Sequence, residues 1–505
     1  MNEPLSTNKT FRYPLKYPRQ KADKFSTGRD LLSIKSDGAQ WGKTQTSRRI
    51  VFFFAKIPVF YRFLSLMTHN VSKGGQWLWR HLNMQIEIPE FCVAALIGVS
   101  SSGKSTFCKT HFKPTEVLSS DYFRALVSDD ENNQEATQQA FEALNFVAHK
   151  RLELGKLTVI DATSVQQFAR KQILRLAKDH DCFAAAIVLD LNEEIIRERN
   201  KKRNDRNLTE DVLTRQMNQL RKTSAEQLKQ EGFRFVYVLS SEEEISNAQI
   251  TRAPMWNNKK TETGPFDIIG DVHGCFDELC DLLKNLNYNV DTENFTAEHP
   301  EGRKAVFIGD LCDRGIKNIE VLRLVMNMEQ SCSALCVLGN HDFKLLRQLR
   351  GNKVQLTHGL DITVNQLEKE SEEFRNQVKT FLESLISHFV LDQGNLVIAH
   401  AGLKEEFHGR SSGQVRSFCL FGDTTGEKDE NGFPVRLPWA DNYKGKALVV
   451  YGHTPIAEVQ SINNTVCIDT GCVFGGKLTA FRYPEKEIVQ VKAKEEYYPA
   501  GKNFK

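Results

Sequence analysis

The chain has 505 residues, 40% of them apolar and 26% charged, a composition that excludes low-complexity and collagen-like classes. Its net charge of +3 is unevenly spread: residues 1–85 hold 15 Lys/Arg against 4 Asp/Glu, which leaves 52 against 60 for the remainder. The part with globular texture is therefore acidic overall, so any polyanion it binds has to be met by local basic pockets rather than by a basic surface.

Residues 1–83 are basic, lack sustained periodicity and read as a largely disordered extension. Their one strongly apolar stretch, 51–67 (VFFFAKIPVFYRFLSLM), is broken by Lys56, Pro58 and Arg62, so it makes a poor membrane span. An interfacial basic segment is the other reading of it. Eleven cysteines without a CxxC pair point to reduced thiols and a cytoplasmic setting.

From Met84 the texture changes. Apolar runs at 91–97, 157–160 and 184–189 alternate with helical patterns, which predicts a parallel sheet covered by helices across a first domain, 84–245. A charged stretch, 246–265, carrying Pro254 and Gly264-Pro265, reads as a linker. A second domain, 266–505, restarts with short apolar runs at 266–269, 305–308, 334–338, 396–399 and 447–450. Each ends in a Gly, Asn, Asp or His cluster, and ligands of α/β sheets gather beyond the carboxyl ends of strands, so these clusters are expected to converge.

In the first domain, Gly98-Val99-Ser100-Ser101-Ser102-Gly103-Lys104-Ser105-Thr106 follows a predicted strand and opens a helix. Small residues let successive amides turn toward phosphate oxygens, Lys104 reaches the β/γ-phosphates, and Ser105 is placed to hold Mg²⁺: a Walker A loop. Seventeen residues beyond Lys104 lies Asp121, in SSDYFR. A carboxylate there suits the base that takes a proton from an attacking hydroxyl, or equally a helix N-cap. Arg124 could clamp an acceptor's phosphate. The run 197–206 (RERNKKRNDR) fits a lid over the transferring phosphate, with a solvated helix face as the other reading.

The second domain carries five ordered clusters: Gly270-Asp271-Val272-His273-Gly274, Gly309-Asp310-Leu311-Cys312-Asp313-Arg314-Gly315, Gly339-Asn340-His341-Asp342, His400 in IAHAG and His453 in YGHTP. Two ions a few ångströms apart need hard oxygens, imidazoles and a bridging carboxylate. Asp271 and His273 would serve one ion, Asp310 would bridge, and Asn340, His400 and His453 would serve the other. Arg314 and His341 remain to bind phosphate and to protonate the leaving oxygen. This is the calcineurin-like metallophosphoesterase pattern.

Both constellations together resemble the bacterial polynucleotide kinase–phosphatases of RNA repair, over residues 84 to about 500 and including FKPTEVLSSDYFRALVSDDEN, PMWNNKK, FGDTTGEKDENGFPVR and CIDTGCVFGGKLTA. The resemblance implies an α/β P-loop kinase domain followed by a calcineurin-like α/β sandwich. It implies ATP or another NTP with Mg²⁺ in the first, with Asp121 activating a 5′-OH, Arg124 on the acceptor's phosphate, and Arg199 and Arg203 in the lid. In the second it implies two divalent ions, Mn²⁺ first, and removal of 2′-, 3′- and 2′,3′-cyclic phosphates, with Asp469 and Asp313 behind the ligands. RNA (or DNA) ends are then the substrates, with a separate ligase as partner; an RNA 3′-end methyltransferase and a homodimer are further associations in keeping with it, and no membrane partner is expected. The family's ligase-like domain, with its lysine nucleophile, has no counterpart before Lys505, and the likeness begins at Met84, which could serve as a start. The rival reading is a protein-Ser/Thr or diadenosine-polyphosphate phosphatase fused to a P-loop ATPase or nucleotide-sensing switch. The two heads are expected to work independently across the linker.

Overall fold

The computed structural model describes residues 85–203, 208–428 and 434–500, so the expectations for 1–83 lie outside the described residues. β1 (Gln85–Pro89) and β2 (Cys92–Ile97) open the first domain, and all six residues of β2 are buried. β3 (Val117–Ser119), β4 (Thr158–Asp161), β5 (Phe183–Leu189) and β6 (Phe235–Leu239) join β2 in an all-parallel sheet of order β3-β4-β2-β5-β6. The core explains the near-continuous apolar run of β2. Val93, Ala95 and Ile97 enter one hydrophobic cluster while Cys92, Ala94 and Leu96 enter another, because successive side chains point to opposite faces and both faces are covered. The helices are α1 (Lys104–His111), α2 (Ser120–Ser128), α3 (Thr137–Glu153), α4 (Gln167–Asp179), α5 (Glu193–Lys201), α6 (Glu210–Arg221), α7 (Ala225–Glu231) and α8 (Glu242–Asn247). The Walker A loop leaves the carboxyl end of β2, where neighbours β4 and β5 lie to either side.

The stretch 246–265, expected as a linker, is structured. β7 (Gln249–Ala253) pairs parallel with β1, and β8 (Asn258–Lys259) pairs parallel with β14 (His388–Leu391) of the second domain. β7 (QITRA) is polar and mostly exposed, so neither periodicity nor apolarity announces it; only the partner strand does.

The second domain stacks two sheets. One has the order β13-β12-β9-β21-β22, from β9 (Phe266–Ile269), β12 (Lys304–Phe307), β13 (Ala334–Cys336), β21 (Lys477–Tyr483) and β22 (Glu487–Lys492). The other has the order β19-β20-β18-β15-β14-β8, with β15 (Leu396–Ala399), β18 (Leu448–Tyr451), β19 (Gln460–Ile462) and β20 (Thr465–Cys467). Two small hairpins, β10 (Asn289–Asp291) with β11 (Thr296–Glu298) and β16 (Thr424–Lys428) with β17 (Pro434–Arg436), stand outside them. Phe266, Ile268, Val306 and Ile308 face Leu391, Leu396, Ile398 and Val450 between the sheets, while Ile269, Ala305 and Phe307 turn the other way, under helices. Those are α9 (Phe276–Asn285), α10 (Asn318–Gln330), α11 (Asn340–Leu349), α12 (Leu360–Leu367) and α13 (Glu372–Ser384); α14 (Gly413–Phe421) covers the far sheet. No helix of the described residues is long and apolar enough to cross a membrane.

Candidate functional site

Three parallel strands in each sheet of the sandwich, β9, β12 and β13 in one and β15, β18 and β20 in the other, each hand one loop to a single centre, carrying Asp271, Asp310, Asn340, His400, His453 and Asp469 respectively. His400 Nε2 lies 3.4 Å from Asp310 Oδ2, 2.8 Å from Asn340 Oδ1 and 3.1 Å from His453 Nδ1. His273 Nε2 lies 3.6 Å from the same Asp310 Oδ2. Asp310 thus stands between two groups, as expected of a bridging carboxylate.

The second layer fixes which nitrogens face inward. His400 Nδ1 donates to the Ile308 carbonyl at 3.0 Å and His273 Nδ1 to the Cys312 carbonyl at 2.9 Å, so both Nε2 atoms present lone pairs to the centre. Asn340 Oδ1 faces only acceptors there; turning the amide over would place its NH₂ against His453 Nδ1, His400 Nε2 and Asp310 Oδ2. Two amide protons cannot serve three acceptors and neutralise a carboxylate, whereas a divalent cation can. A carboxylate, imidazoles and a carboxamide oxygen are also the donors such an ion takes. Burial pushes Asp310 up to about 7 and, with Asp469 and Asp310 beside it, raises Asp271 far above the usual carboxylate range; burial likewise takes His400 down to about 4. Arg314 donates to His273 Nε2 at 2.6 Å, so a guanidinium occupies the lone pair that an ion would use. The donors fit divalent ions: Asp310, His400 and His453 lie close enough to hold one, with Asn340 beside them, and His273, Asp310 and His341 another, while Asp271, accepting from His453 N at 3.1 Å, could complete either set. When bound, these would supply Lewis-acid charge at phosphoryl oxygens and lower the pKa of water.

Close approach and strain shape the loops. His273, Asp310, Asp313, Arg314 and His453 all have φ between 45° and 75°, a region non-glycine residues enter rarely and at a cost of about 1–3 kcal/mol each. A Cβ on Gly339 would run into the Asp310 amide and carboxylate, and one on Gly452 into the Asp271 carboxylate. Asp342, absent from the expected site, accepts from Gly339 N and Leu311 N, both at 3.0 Å, and so ties the Asp310 loop to the Asn340 loop. His341 and Asp313 are buried together, and Arg314 covers the Phe474 ring at 5.1 Å. Arg436, also unanticipated, comes from β17 and hydrogen-bonds Thr454, beside His453.

In the first domain a cavity of about 2700 Å³ is lined by Lys104, Asp121, Asp161, Arg199 and Arg203 among others. Gly103, at φ 96°, is the N-cap of α1 and supplies no side-chain cap. Lys104 Nζ bonds the Val99 carbonyl at 2.8 Å, and burial lowers its pKa to about 8. Ser105 is within hydrogen-bonding reach of Asp161, the last residue of β4, which sequence reasoning left out although an acid closing an apolar run signals it. Gly98 packs under Leu189 O, Ser102 is wholly buried, and Thr106 lies exposed on the first turn of α1. Ser119, not Asp121, caps α2. Arg124 is buried, ion-paired to Asp121 at 2.7 Å and bonded to the Glu131 carbonyl, and it lines the same cavity. Arg199 reaches the Walker A loop, with Nη1 3.4 Å from Ser102 O and its other nitrogen paired with Glu242.

The two domains match different family models, an AAA domain over residues 93–227 and a calcineurin-like phosphoesterase over 264–484. The bis(5'-nucleosyl)-tetraphosphatase PrpE [asymmetrical] of Anoxybacillus flavithermus is 49% identical over 230 residues, 45% of this chain and 93% of that protein. The chain belongs to the calcineurin-like phosphoesterase family. The PrpE protein of Bacillus subtilis is 45% identical over 230 residues, again 45% of this chain and 93% of that protein. A P-loop domain joined to a calcineurin-like phosphoesterase is thus the architecture, and hydrolysis of a phosphate bond is the chemistry of the second part.

Proposed function

We propose that the chain is a metal-dependent phosphohydrolase of nucleotides, with bis(5'-nucleosyl) tetraphosphates as its first substrate class, joined to an ATP-binding P-loop domain. The convergence of Asp310, Asn340, His400 and His453 carries the phosphohydrolase reading. The PrpE relatives, named for that substrate, support its class. Water adds to one phosphorus, the neighbouring P–O bond breaks, Arg314 holds charge on the phosphoryl oxygens, and His341 is the group that can give a proton to the departing oxygen. Diadenosine tetraphosphate incubated with the full chain and Mn²⁺ should yield ATP and AMP, with no products from Asp310→Asn. Hydrolysis of a phosphoprotein with none of the dinucleotide would sink this reading and favour a protein phosphatase.

A second reading, RNA end healing, is favoured by one observation. Tyr122 and Phe168 are 62% and 64% exposed and line the same cavity as Asp121 and Lys104, offering rings on which an acceptor's bases could stack. On that reading Asp121 takes the proton of a 5′-OH, and the second site removes the RNA's 3′-terminal phosphate. One oligomer with a 5′-OH and a 2′,3′-cyclic phosphate, given ATP, Mg²⁺ and Mn²⁺, tests it by mass. A gained 5′-phosphate, lost in Asp121→Ala, and a lost terminal phosphate establish it; an unchanged oligomer alongside cleaved dinucleotide retires it.

A further inference from the structure

Beside Asn340 and His341 a groove of about 470 Å³ runs along α11 and beneath the loop 353–358. That is the size of a small-molecule site rather than of a surface dimple. Its lining includes Lys344, Arg347 and Lys353 and contains no Asp or Glu, although residues 86–505 carry more acids than bases. Cations nearby are spoken for: Arg350 pairs with Glu383 at 2.9 Å and Arg323 with Glu370 at 2.6 Å. Among the described residues, Arg347 and Lys353 have no carboxylate partner. Lys344 is held at the groove without one, donating to Thr357 O at 2.7 Å and Thr357 Oγ1 at 3.1 Å, which also pins the loop.

The placement is directional. Asn340, Lys344 and Arg347 stand at i, i+4 and i+7 of α11, so they share one helix face and step about 10 Å away from the reaction centre. Phe421, 40% exposed, also lines the groove, and half-buried Phe343 is covered by the Arg416 guanidinium at 5.6 Å. A row of cations without carboxylate partners stepping away from Asn340, in a groove that also presents an open ring, suits a chain of phosphates attached to a nucleoside.

We propose that this groove binds the polyphosphate chain beyond the scissile phosphate, with Lys344, Arg347 and Lys353 on successive phosphates. It rests on the nucleotide-phosphohydrolase reading and adds chain length as what the site selects. A terminal phosphomonoester leaves the groove unfilled.

The test uses the full chain loaded with Mn²⁺ and the variant Arg347→Ala/Lys353→Ala, both exposed positions outside the ligand set, with Arg350→Ala as control. Hydrolysis of p-nitrophenyl phosphate is followed under competition by inorganic tripolyphosphate or orthophosphate. The double variant should weaken tripolyphosphate inhibition about tenfold, the loss of roughly two charge-assisted contacts, and leave orthophosphate inhibition and p-nitrophenyl phosphate turnover unchanged. KM for diadenosine tetraphosphate should rise similarly, with kcat kept. Equal inhibition by the two anions in the wild type, or no change in the variant, would overturn the groove. If tripolyphosphate behaves as expected but diadenosine tetraphosphate is not cleaved, the groove stands and the substrate reading falls.

Discussion

His341 Nδ1 donates to the Asp313 carboxylate at 2.7 Å, and that carboxylate accepts in turn from Thr363 Oγ1 at 2.6 Å. The pair is fully buried, so the imidazole is locked with Nε2 directed away from Asp313, in a ring held edge-on to His273. Asp313→Asn keeps the shape but offers an NH₂ or a weaker acceptor, releasing the tautomer. Turnover of a substrate with a poor leaving group should fall by about 10²–10⁴-fold, the usual value of a positioned proton donor. KM should change little, and His341→Ala should add almost nothing to the loss, because the two act as a unit. Additive losses in the double variant would separate them.

Gly339 is where loop meets loop. Alanine there would push the Asp310 amide and carboxylate aside without replacing any ligand residue. Manganese content by mass spectrometry should drop below the two ions per chain expected of the wild type, and phosphatase turnover should fall at least about 100-fold, since a misplacement of about 1 Å costs that much. ATP binding by the first domain should be untouched.

His388 gives the second domain an acid-sensitive point. It is fully buried, and Nε2 accepts from Asn257 Nδ2 at 3.0 Å and Gly409 N at 3.1 Å, so the ring must be neutral there. Burial, and secondarily His408, brings its pKa from 6.5 down to about 3. The unfolded chain therefore takes up this proton first. The stability that neutral His388 carries is complete above about pH 6.5 and is lost as pH falls toward 3, about 2 kcal/mol of it by pH 5. Thermal melts of wild type and His388→Gln between pH 7.5 and 5 should converge as pH falls; parallel curves would assign the slope to other groups.

Arg410 joins the domains. From the loop before α14 it donates to the His180 carbonyl at 2.6 Å, the Glu153 carbonyl at 3.1 Å and the Leu152 carbonyl at 3.3 Å, while its own carbonyl accepts from Asn257 at 3.0 Å. Arg410→Ala should cost about 1.5–3 kcal/mol, the range for hydrogen bonds from a charged group. It should split a single calorimetric transition into two, and it should speed proteolysis within 254–265. An unsplit transition would show that β8 and the Trp256–Phe183 contact suffice.

The metal loops were legible because their chemistry demands rare residue types right after apolar runs, and each run is a strand whose end the sheet fixes. Asp342 and Thr363 were not, since they act by bonding backbone or side chains far away in sequence, and an Asp or Thr in a helix has no signature of that. The pairing of Arg124 with Asp121 went unread for a simpler reason: i and i+3 on a helix are neighbours that pair, but only once the helix is known. β7 and β8 escaped notice because polar edge strands exist only through their partners.

Between Ala253, the end of β7, and Asn258, the start of β8, four residues intervene. Fully stretched, those five steps reach no more than about 18 Å. The strand that finishes one sheet is thus leashed to the strand that starts the other, and no movement of either domain can part those two strand ends by more than that reach.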